Sequence, residues 1–293
     1  MGSVSSELLA RAGIGKLILI DRDIVELSNL QRQALYNEND AGKPKALAAK
    51  EHLSKINSEI KIEIIIDDLN YENIGRIMGN TDLILDCTDN LETRFLINDF
   101  CIKNKIPFIY SSAIGSKGYV FNIIPCKTAC LRCFLKEATA LDTCETAGVL
   151  NSVTHLISSV QSNEAIKILL KKDCEKDLLF FDIWKNELLK IKVNKNRNCE
   201  CCAKNNFEHL NGKKSTNIIK LCGDNMFQAK NKPINQKQFI ELKNKLKKIG
   251  KVIDFGYCAN FNNQITIFNN GRVLIKARDE KEAKSLYSKF VGN

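Results

Sequence analysis

Short apolar runs alternate with amphipathic segments along residues 1–110. The runs predict buried strands, and the segments predict helices, because apolar residues three and four positions apart line one helical face. The expected strands are Lys16–Ile20, Ile60–Ile66, Asp82–Asp86 and Phe108–Ser111, and the expected helices are Val4–Ala12, Pro44–Ile56 and Glu92–Lys103. This alternation predicts an α/β fold of the Rossmann-like type, with a doubly wound and mainly parallel sheet.

The pattern changes after Tyr110. It predicts a strand at Lys117–Ile124, a long helix from about Ser152 to Lys172, and strands near Leu178–Ile183 and Leu188–Val193. A polar stretch then predicts a linker. We therefore expect a first domain over residues 1–205, a linker over 206–216, and a small basic α+β domain over 217–293.

The last domain has its own sequence of elements. The expected strands are Ile218–Cys222, Val252–Phe255, Gln264–Phe268 and Arg272–Ile275, and the expected helices are Gln236–Ile249 and Glu280–Phe290. Asn269, Asn270 and Gly271 predict a hairpin turn, because Asn and Gly tolerate a positive φ.

The formal net charge of +10 is concentrated at the end of the chain, since residues 206–293 hold 17 basic and 7 acidic side chains. A basic domain can bind nucleic acid. Few aromatic residues alternate with the lysines, however, and a solvated basic surface is the favoured interpretation. Nucleic acid is therefore not an expected partner.

Twelve cysteines occur in a chain whose start lacks the pattern of a secretory signal. This combination favours a reducing compartment, the cytoplasm, with metal or thiol chemistry rather than disulfides. No run of apolar residues is long enough to predict a membrane-spanning helix.

Polar side chains follow the predicted strands. Asp21 ends the strand at Lys16–Ile20, where it could bind ribose hydroxyls or simply cap the next turn. Lys45 lies at the start of a helix, where backbone N–H groups favour anions. Asp89 follows the third strand, and its hard carboxylate oxygens suit Mg²⁺.

Two cysteine pairs have the spacing of zinc-binding knuckles, Cys130 with Cys133 and Cys199 with Cys202. Four thiolates complete the tetrahedral coordination of Zn²⁺, so such a site is structural. Cys201 is a competing ligand, although it cannot readily serve together with Cys202.

Cys144 lies in a polar loop before the long helix, a setting compatible with an exposed thiolate nucleophile. The alternative is an unreactive loop thiol.

The order and spacing of these motifs resemble the ThiF/MoeB/HesA family, relatives of ubiquitin-activating enzymes. The matching segments are residues 21–33, 42–45, 86–90, 130–133, 143–149 and 163–167. The resemblance implies an enzyme that uses ATP to adenylylate the C-terminal glycine of a ubiquitin-like carrier protein. The implied cofactors are ATP, Mg²⁺ and Zn²⁺.

Residue roles follow from the same resemblance. Asp21 would bind the ribose, and Asp89 would assist Mg²⁺. Cys144 would take part in sulfur transfer or in a thioester, and Arg32 and Lys45 would act as catalytic cations. The implied ATP-binding residues are Gly2, Asp21, Ser28, Asn29, Leu30, Gln31, Arg32, Lys45, Asp89 and Asn90.

The family begins with a strand and a glycine-rich turn, of which only Met1, Gly2 and Ser3 match here. We therefore expect Met1 to be an internal methionine and the chain as written to bind ATP weakly. The implied partners are a carrier ending in Gly-Gly, a second copy of the chain in a homodimer, and a sulfurtransferase or cysteine desulfurase. The implied pathways are cofactor thiolation, tRNA thiolation and protein conjugation.

Two other classes remain open. A nicotinamide-dependent dehydrogenase would share the strand–helix alternation, but it has no role for residues 29–33 and 86–90. A non-catalytic subunit of an activating-enzyme complex would explain the reduced glycine turn. Retention of Asp21, Arg32, Lys45, Asp89 and Cys144 favours the enzyme.

Overall fold

The computed structural model describes residues 1–135, 148–212, 226–230 and 234–291. The chain forms two compact units, each presented by itself below. The first comprises residues 1–22, 26–39 and 46–215, and the second comprises residues 23–25, 40–45 and 216–293.

The first unit alternates helices and strands as the apolar pattern predicts. Its helices are α1 (Gly2–Arg11), α2 (Lys45–Ile56, whose first residue clusters with the second unit), α3 (Ile74–Met78), α4 (Leu91–Asn104), α5 (Leu131–Phe134) and α6 (Asn151–Leu169). Its strands are β1 (Lys16–Ile20), β2 (Lys61–Ile65), β3 (Ile84–Leu85), β4 (Phe108–Ile114), β5 (Lys117–Ile123), β6 (Leu178–Asp182) and β7 (Glu187–Ile191).

The strands of the first unit form two sheets. Strands β1 and β2 pair in parallel, and the second sheet has the order β3-β4-β5-β6-β7. Strands β3 and β4 are also parallel, while β4 through β7 pair antiparallel. The α/β class is confirmed. The parallel pairs, β1 with β2 and β3 with β4, are formed by the four strands before residue 115. The strands that follow, β5 to β7, continue from β4 as an antiparallel meander.

Strands β1 and β3 each have a single hydrogen-bonded neighbour among the described residues, β2 and β4 respectively. The apolar run of β1 is half-buried from Leu17 to Ile20. Within the described part of the chain, β1 and β3 are therefore edge strands.

Helix α6 packs against α1, β4 and β5, and its buried face carries Val153 and Ile157. The contact depends on Gly118 in β5, because a Cβ atom there would lie 2.3 Å from Cγ1 of Ile157. A glycine in a strand commonly marks such a close approach.

The second unit contains β8 (Met226–Lys230), α7 (Gln236–Lys247), β9 (Val252–Asp254), β10 (Cys258–Phe261), β11 (Ile265–Phe268), β12 (Arg272–Lys276) and α8 (Glu280–Phe290). The strands form one antiparallel sheet in the order β8-β12-β11-β10-β9. This arrangement confirms an α+β fold. The strand expected at 218–222 lies outside the described residues.

Strand β10 was not expected from the sequence, although its turn has a recognisable signal. Asn262 and Asn263 join β10 to β11, with φ values of 51° and 54°. Two consecutive positive φ values characterise the type I′ hairpin turn, which favours Asn and Gly. The predicted turn at 269–271 joins β11 to β12, with φ of 87° at Gly271.

Among the described helices, none combines the length and the apolar character that crossing a membrane requires.

Candidate nucleotide-binding and metal sites

The segment after β1 gathers several of the predicted nucleotide-binding residues. Asp21 directly follows β1, and its backbone N–H donates to the carbonyl of Ile65 at 3.2 Å. A 3₁₀ turn at Leu27–Asn29 then places Ser28 and Asn29, and the Arg32 guanidinium donates to the Ser28 carbonyl at 3.4 Å. Gln31 is exposed, and Leu30 is half-buried.

Asn29 is the most buried of these residues, with a relative exposure of 9%. Its Nδ2 donates to Ser28 Oγ at 3.5 Å, but its Oδ1 is buried without a hydrogen-bond partner in the described part of the chain. A buried carbonyl oxygen without a partner is costly. This oxygen is therefore a candidate acceptor for a bound ligand.

The segment after β3 is organised by a buried ion pair. Asp86 is fully buried, and one of its carboxylate oxygens accepts from Nε of Arg94 at 3.0 Å. The other oxygen accepts from the backbone N–H and the hydroxyl of Thr88 at 2.8 and 2.7 Å. Burial raises the pKa of Asp86, against the opposing effects of Arg94 and Thr88.

The predicted residues Asp89 and Asn90 follow this ion pair. The Asn90 side chain caps α4 by accepting from the Thr93 N–H at 2.8 Å. Asp89 is exposed. Its carboxylate is therefore accessible, and its oxygen atoms are of the type that suits Mg²⁺.

Gly2 begins α1 close to the end of β3. A Cβ atom on Gly2 would lie 3.3 Å from Cβ of Cys87, which is tighter than an ordinary contact. Gln161 of α6 links α1 to the end of β3, because it accepts from Ser5 Oγ at 2.7 Å and donates to the Asp86 carbonyl at 2.8 Å. Sequence reasoning missed Gln161 and Arg94, since neither has a local sequence signal.

Lys45 belongs to the second unit. Its Nζ lies 3.4 Å from Oδ2 of Asp23, and its backbone N–H donates to the Asp23 carbonyl at 2.9 Å. The lysine side chain is only 13% exposed. Lys45 is thus held in place at the first position of α2, where an anion is favoured.

The four predicted zinc ligands come together in the first unit. The sulfur atoms of Cys130, Cys133, Cys199 and Cys202 all lie within 4.8 Å of one another. The separations are 3.8 Å for Cys130–Cys133, 3.6 Å for Cys130–Cys199 and 3.4 Å for Cys133–Cys202. Zn–S bonds of about 2.3 Å in a tetrahedron place the sulfurs about 3.8 Å apart, so the cluster could hold zinc.

Crowding also affects the ionisation of these thiols. The contact with Cys130 and burial raise the pKa of Cys133 to about 12. Burial and the contact with Cys133 raise the pKa of Cys202 to about 12. A cation bound at Cys133 and Cys202 would favour their thiolate forms, so its binding would release their protons.

Two further sequence predictions concern other parts of the chain. Cys144 lies outside the described residues. Residues 207–212 follow the cysteine cluster in the segment expected to begin the linker, and they belong to the first unit. His209 is buried there and stacks on Phe95 at 5.1 Å.

Comparisons with known proteins show which family this sequence resembles. The model of the ThiF family matches residues 1–203. The "Sulfur carrier protein ThiS adenylyltransferase" of Bacillus subtilis is 36% identical, over all of this chain and 90% of that protein. The "Molybdopterin-synthase adenylyltransferase" of Escherichia coli is 34% identical, over 69% of this chain and 83% of that protein.

A solved structure shares the fold. The crystal structure of E. coli MccB with ATP superposes with a TM-score of 0.61 at 23% identity. The match covers 69% of this chain and 63% of the MccB chain, which is somewhat less than two thirds of its length.

Proposed function

Because this chain belongs to the ThiF family, we propose that it adenylylates the C-terminal glycine of a ubiquitin-like sulfur-carrier protein. The chain is an enzyme of the adenylyltransferase class to which its relatives belong. The observation that carries the substrate assignment is its similarity, over its whole length, to an adenylyltransferase named for the carrier ThiS.

The proposed reaction begins with attack by the carrier's terminal carboxylate on the α-phosphorus of ATP. A carrier–adenylate forms, and pyrophosphate leaves. The attacking carboxylate is already ionised at neutral pH, so the step needs no general base. Positioning and neutralisation of phosphate charge therefore dominate catalysis.

The chain's own residues have distinct proposed roles in this step. Arg32 holds phosphate oxygens through its planar guanidinium, and Lys45 adds a second positive charge. Asp21 binds the ribose, and Gly2, Ser28, Asn29, Leu30, Gln31 and Asn90 complete the nucleotide site. Asp89 would hold Mg²⁺, which supplies further charge neutralisation at the phosphates.

The second half of the proposed function is transfer of the activated acyl group. A sulfur donor or a thiol attacks the acyl carbon of the adenylate, the bond from that carbon to the phosphate oxygen breaks, and AMP leaves; Cys144 is the candidate nucleophile. A cysteine desulfurase or sulfurtransferase would supply the sulfur, and the chain would act as a homodimer. The basic domain at 217–293 would dock the carrier or the downstream acceptor.

Replacing Lys45 by Met is expected to lower carrier-dependent exchange between ATP and pyrophosphate by about 100-fold, the usual effect of losing one group that stabilises transition-state charge. Lys50→Met is the matched control, because Lys50 is an exposed lysine on the same helix. Equal rates of exchange by Lys45→Met and Lys50→Met would show that Lys45 has no role in the adenylation step.

The same assay decides between the enzyme and a non-catalytic subunit. The proposed function requires that the unaltered, folded chain exchange pyrophosphate only when a carrier ending in Gly-Gly is present. No exchange at any carrier concentration would favour the non-catalytic subunit.

Strand β7 is a second candidate surface for binding the carrier, in addition to the basic domain. It lies at the end of the strand order among the described residues, and all five of its residues are exposed. Leu188 and Leu189 are 55% and 50% exposed, and nearby Trp184 is 78% exposed. Apolar side chains beside a free strand edge are typical of a surface that binds another protein.

Replacing Leu189 by Asp is expected to raise the KM for the carrier at least tenfold without changing the KM for ATP. The charge would be buried on docking, and burying an unpaired charge is costly. Leu170→Asp is the control, because Leu170 is 64% exposed at the end of α6. Loss of the dimer in Leu189→Asp, with carrier affinity unchanged, would instead assign β7 to self-association.

A further inference from the structure

Asn98 of α4 contacts both cysteine segments of the cluster. Its side chain is fully buried. Its Oδ1 accepts from the backbone N–H of Leu131 at 2.8 Å, and its Nδ2 donates to Sγ of Cys201 at 3.3 Å. Leu131 lies between Cys130 and Cys133, and Cys201 lies between Cys199 and Cys202. One amide thus joins two segments that are about 70 residues apart in sequence.

An amide is well suited to this position. It offers an acceptor and a donor on one rigid planar group, so a single side chain can satisfy a backbone N–H and a thiol in fixed directions. A carboxylate would lack the donor, and an apolar residue would leave the buried Leu131 N–H without its partner.

The contact with Cys201 bears on which cysteines bind the metal. The segment at 199–202 contains three cysteines, yet the sulfurs that cluster with Cys130 and Cys133 are those of Cys199 and Cys202. Cys201 is fully buried, and its sulfur accepts from Asn98 of α4. The same sulfur also interacts with the Cys130 thiol, so Cys201 lies beside the cluster without belonging to its four mutually close sulfurs.

A second set of contacts holds the segments around the cluster against α4. Arg132, inside the first cysteine segment, lies 3.5 Å from the neighbouring Asp99 of α4 and 2.9 Å from Glu208. The other Asp99 oxygen accepts from the His209 N–H at 3.1 Å. Adjacent residues of one helix therefore hold the chain on both sides of the cluster.

We infer that Asn98 is a positioning residue of the metal centre, which fixes the two cysteine segments against each other and keeps Cys201 out of the coordination shell. This inference depends on the proposed occupation of the cluster by Zn²⁺. Residues outside the coordination shell that orient ligands commonly change metal affinity by about 10- to 100-fold.

The first test measures the rate at which a chelator removes zinc from the full chain. Asn98→Ala is expected to release zinc at least tenfold faster than the unaltered chain. Asn98→Asp keeps the acceptor for Leu131 but loses the donor, so an intermediate rate is expected. Asn104→Ala is the matched control, because Asn104 lies on the same helix and donates to the Phe100 carbonyl instead.

The second test uses Co²⁺, whose charge-transfer absorbance increases with the number of bound thiolates. Cys201→Ser should keep the four-thiolate spectrum. Cys202→Ser should show three thiolates, and adding Asn98→Ala should restore the fourth by releasing Cys201. A general loss of stability would not restore a thiolate, so this result separates positioning from a merely structural role.

Several outcomes overturn the inference. Zinc release from Asn98→Ala at the rate of Asn104→Ala would do so, as would a lost thiolate in Cys201→Ser or four thiolates in Cys202→Ser alone. If Asn98→Ala does not fold, the test rests on Asn98→Asp. Zinc release from Asn98→Asp at the rate of Asn104→Ala would then overturn the inference. Failure of the unaltered chain to bind Co²⁺ or Zn²⁺ would refute the metal centre itself, and adenylation would remain as proposed.

Discussion

Removing the metal from the cysteine cluster is expected to cost the first unit about 5 kcal/mol or more of its free energy of unfolding. Structural zinc sites in small peptides bind with apparent free energies of about 10–16 kcal/mol at neutral pH, and this binding energy contributes directly to folding. The first unit also has a hydrophobic core, so only a part of this metal-binding energy is expected to appear in its free energy of unfolding. The loss would still be large beside a typical domain stability of about 5–15 kcal/mol.

The measurement is hydrogen exchange after chelation, compared with the Cys133→Ser variant. Protection should fall first at residues 128–135 and 193–212, where the cluster joins α5 to the end of the first unit. Residues 234–291 belong to the second unit and should keep their protection. Cys126→Ser is the control, since Cys126 is an exposed thiol outside the cluster. Unchanged protection after complete metal removal would contradict the prediction.

Acidification, like chelation, is expected to lower the hydrogen-exchange protection of the first unit. The ligands bind zinc as thiolates, so protonation competes with the metal and zinc affinity falls as the pH falls. Zinc loss on acidification should therefore accompany the loss of protection.

Replacing Asp86 by Ala is expected to destabilise the first unit by about 3–5 kcal/mol, the usual cost of leaving one partner of a buried ion pair uncompensated. Arg94 is 7% exposed and also donates to the carbonyls of Thr88 and Ser111 at 2.5 and 3.1 Å. Its guanidinium therefore cannot reach water without breaking the links between β3, α4 and β4.

Urea unfolding of the full chain, followed by a probe in the first unit, measures this effect. Asp82→Ala is the matched control, because Asp82 is an exposed aspartate just before β3. The double variant Asp86→Leu, Arg94→Met should recover much of the loss, since apolar residues of similar size often replace a buried pair at little cost. If Asp86→Ala is as stable as Asp82→Ala, the ion pair contributes little to the free energy of unfolding.

The order of elements in the first unit follows closely from the sequence. The strands at Lys16–Ile20 and Phe108–Ser111 and the helix at Glu92–Lys103 were predicted from local apolar patterns, and each has a counterpart within three residues at either end. Local pattern was sufficient because each element buries one face or is apolar throughout. The short helices α3 and α5 and the strands β8 and β10 were missed, since elements of four or five residues rarely establish a period.

The sequence by itself determined the α/β class, the cysteine spacing and the residues that resemble nucleotide-binding motifs. These features are encoded within single segments of the chain. The tertiary structure decided that Cys202 rather than Cys201 joins the cluster, that Arg94 compensates Asp86, and that Asn98 and Gln161 link distant segments. Those contacts depend on the packing of α4 and α6 against strands far away in sequence, and a local pattern carries no information about such packing.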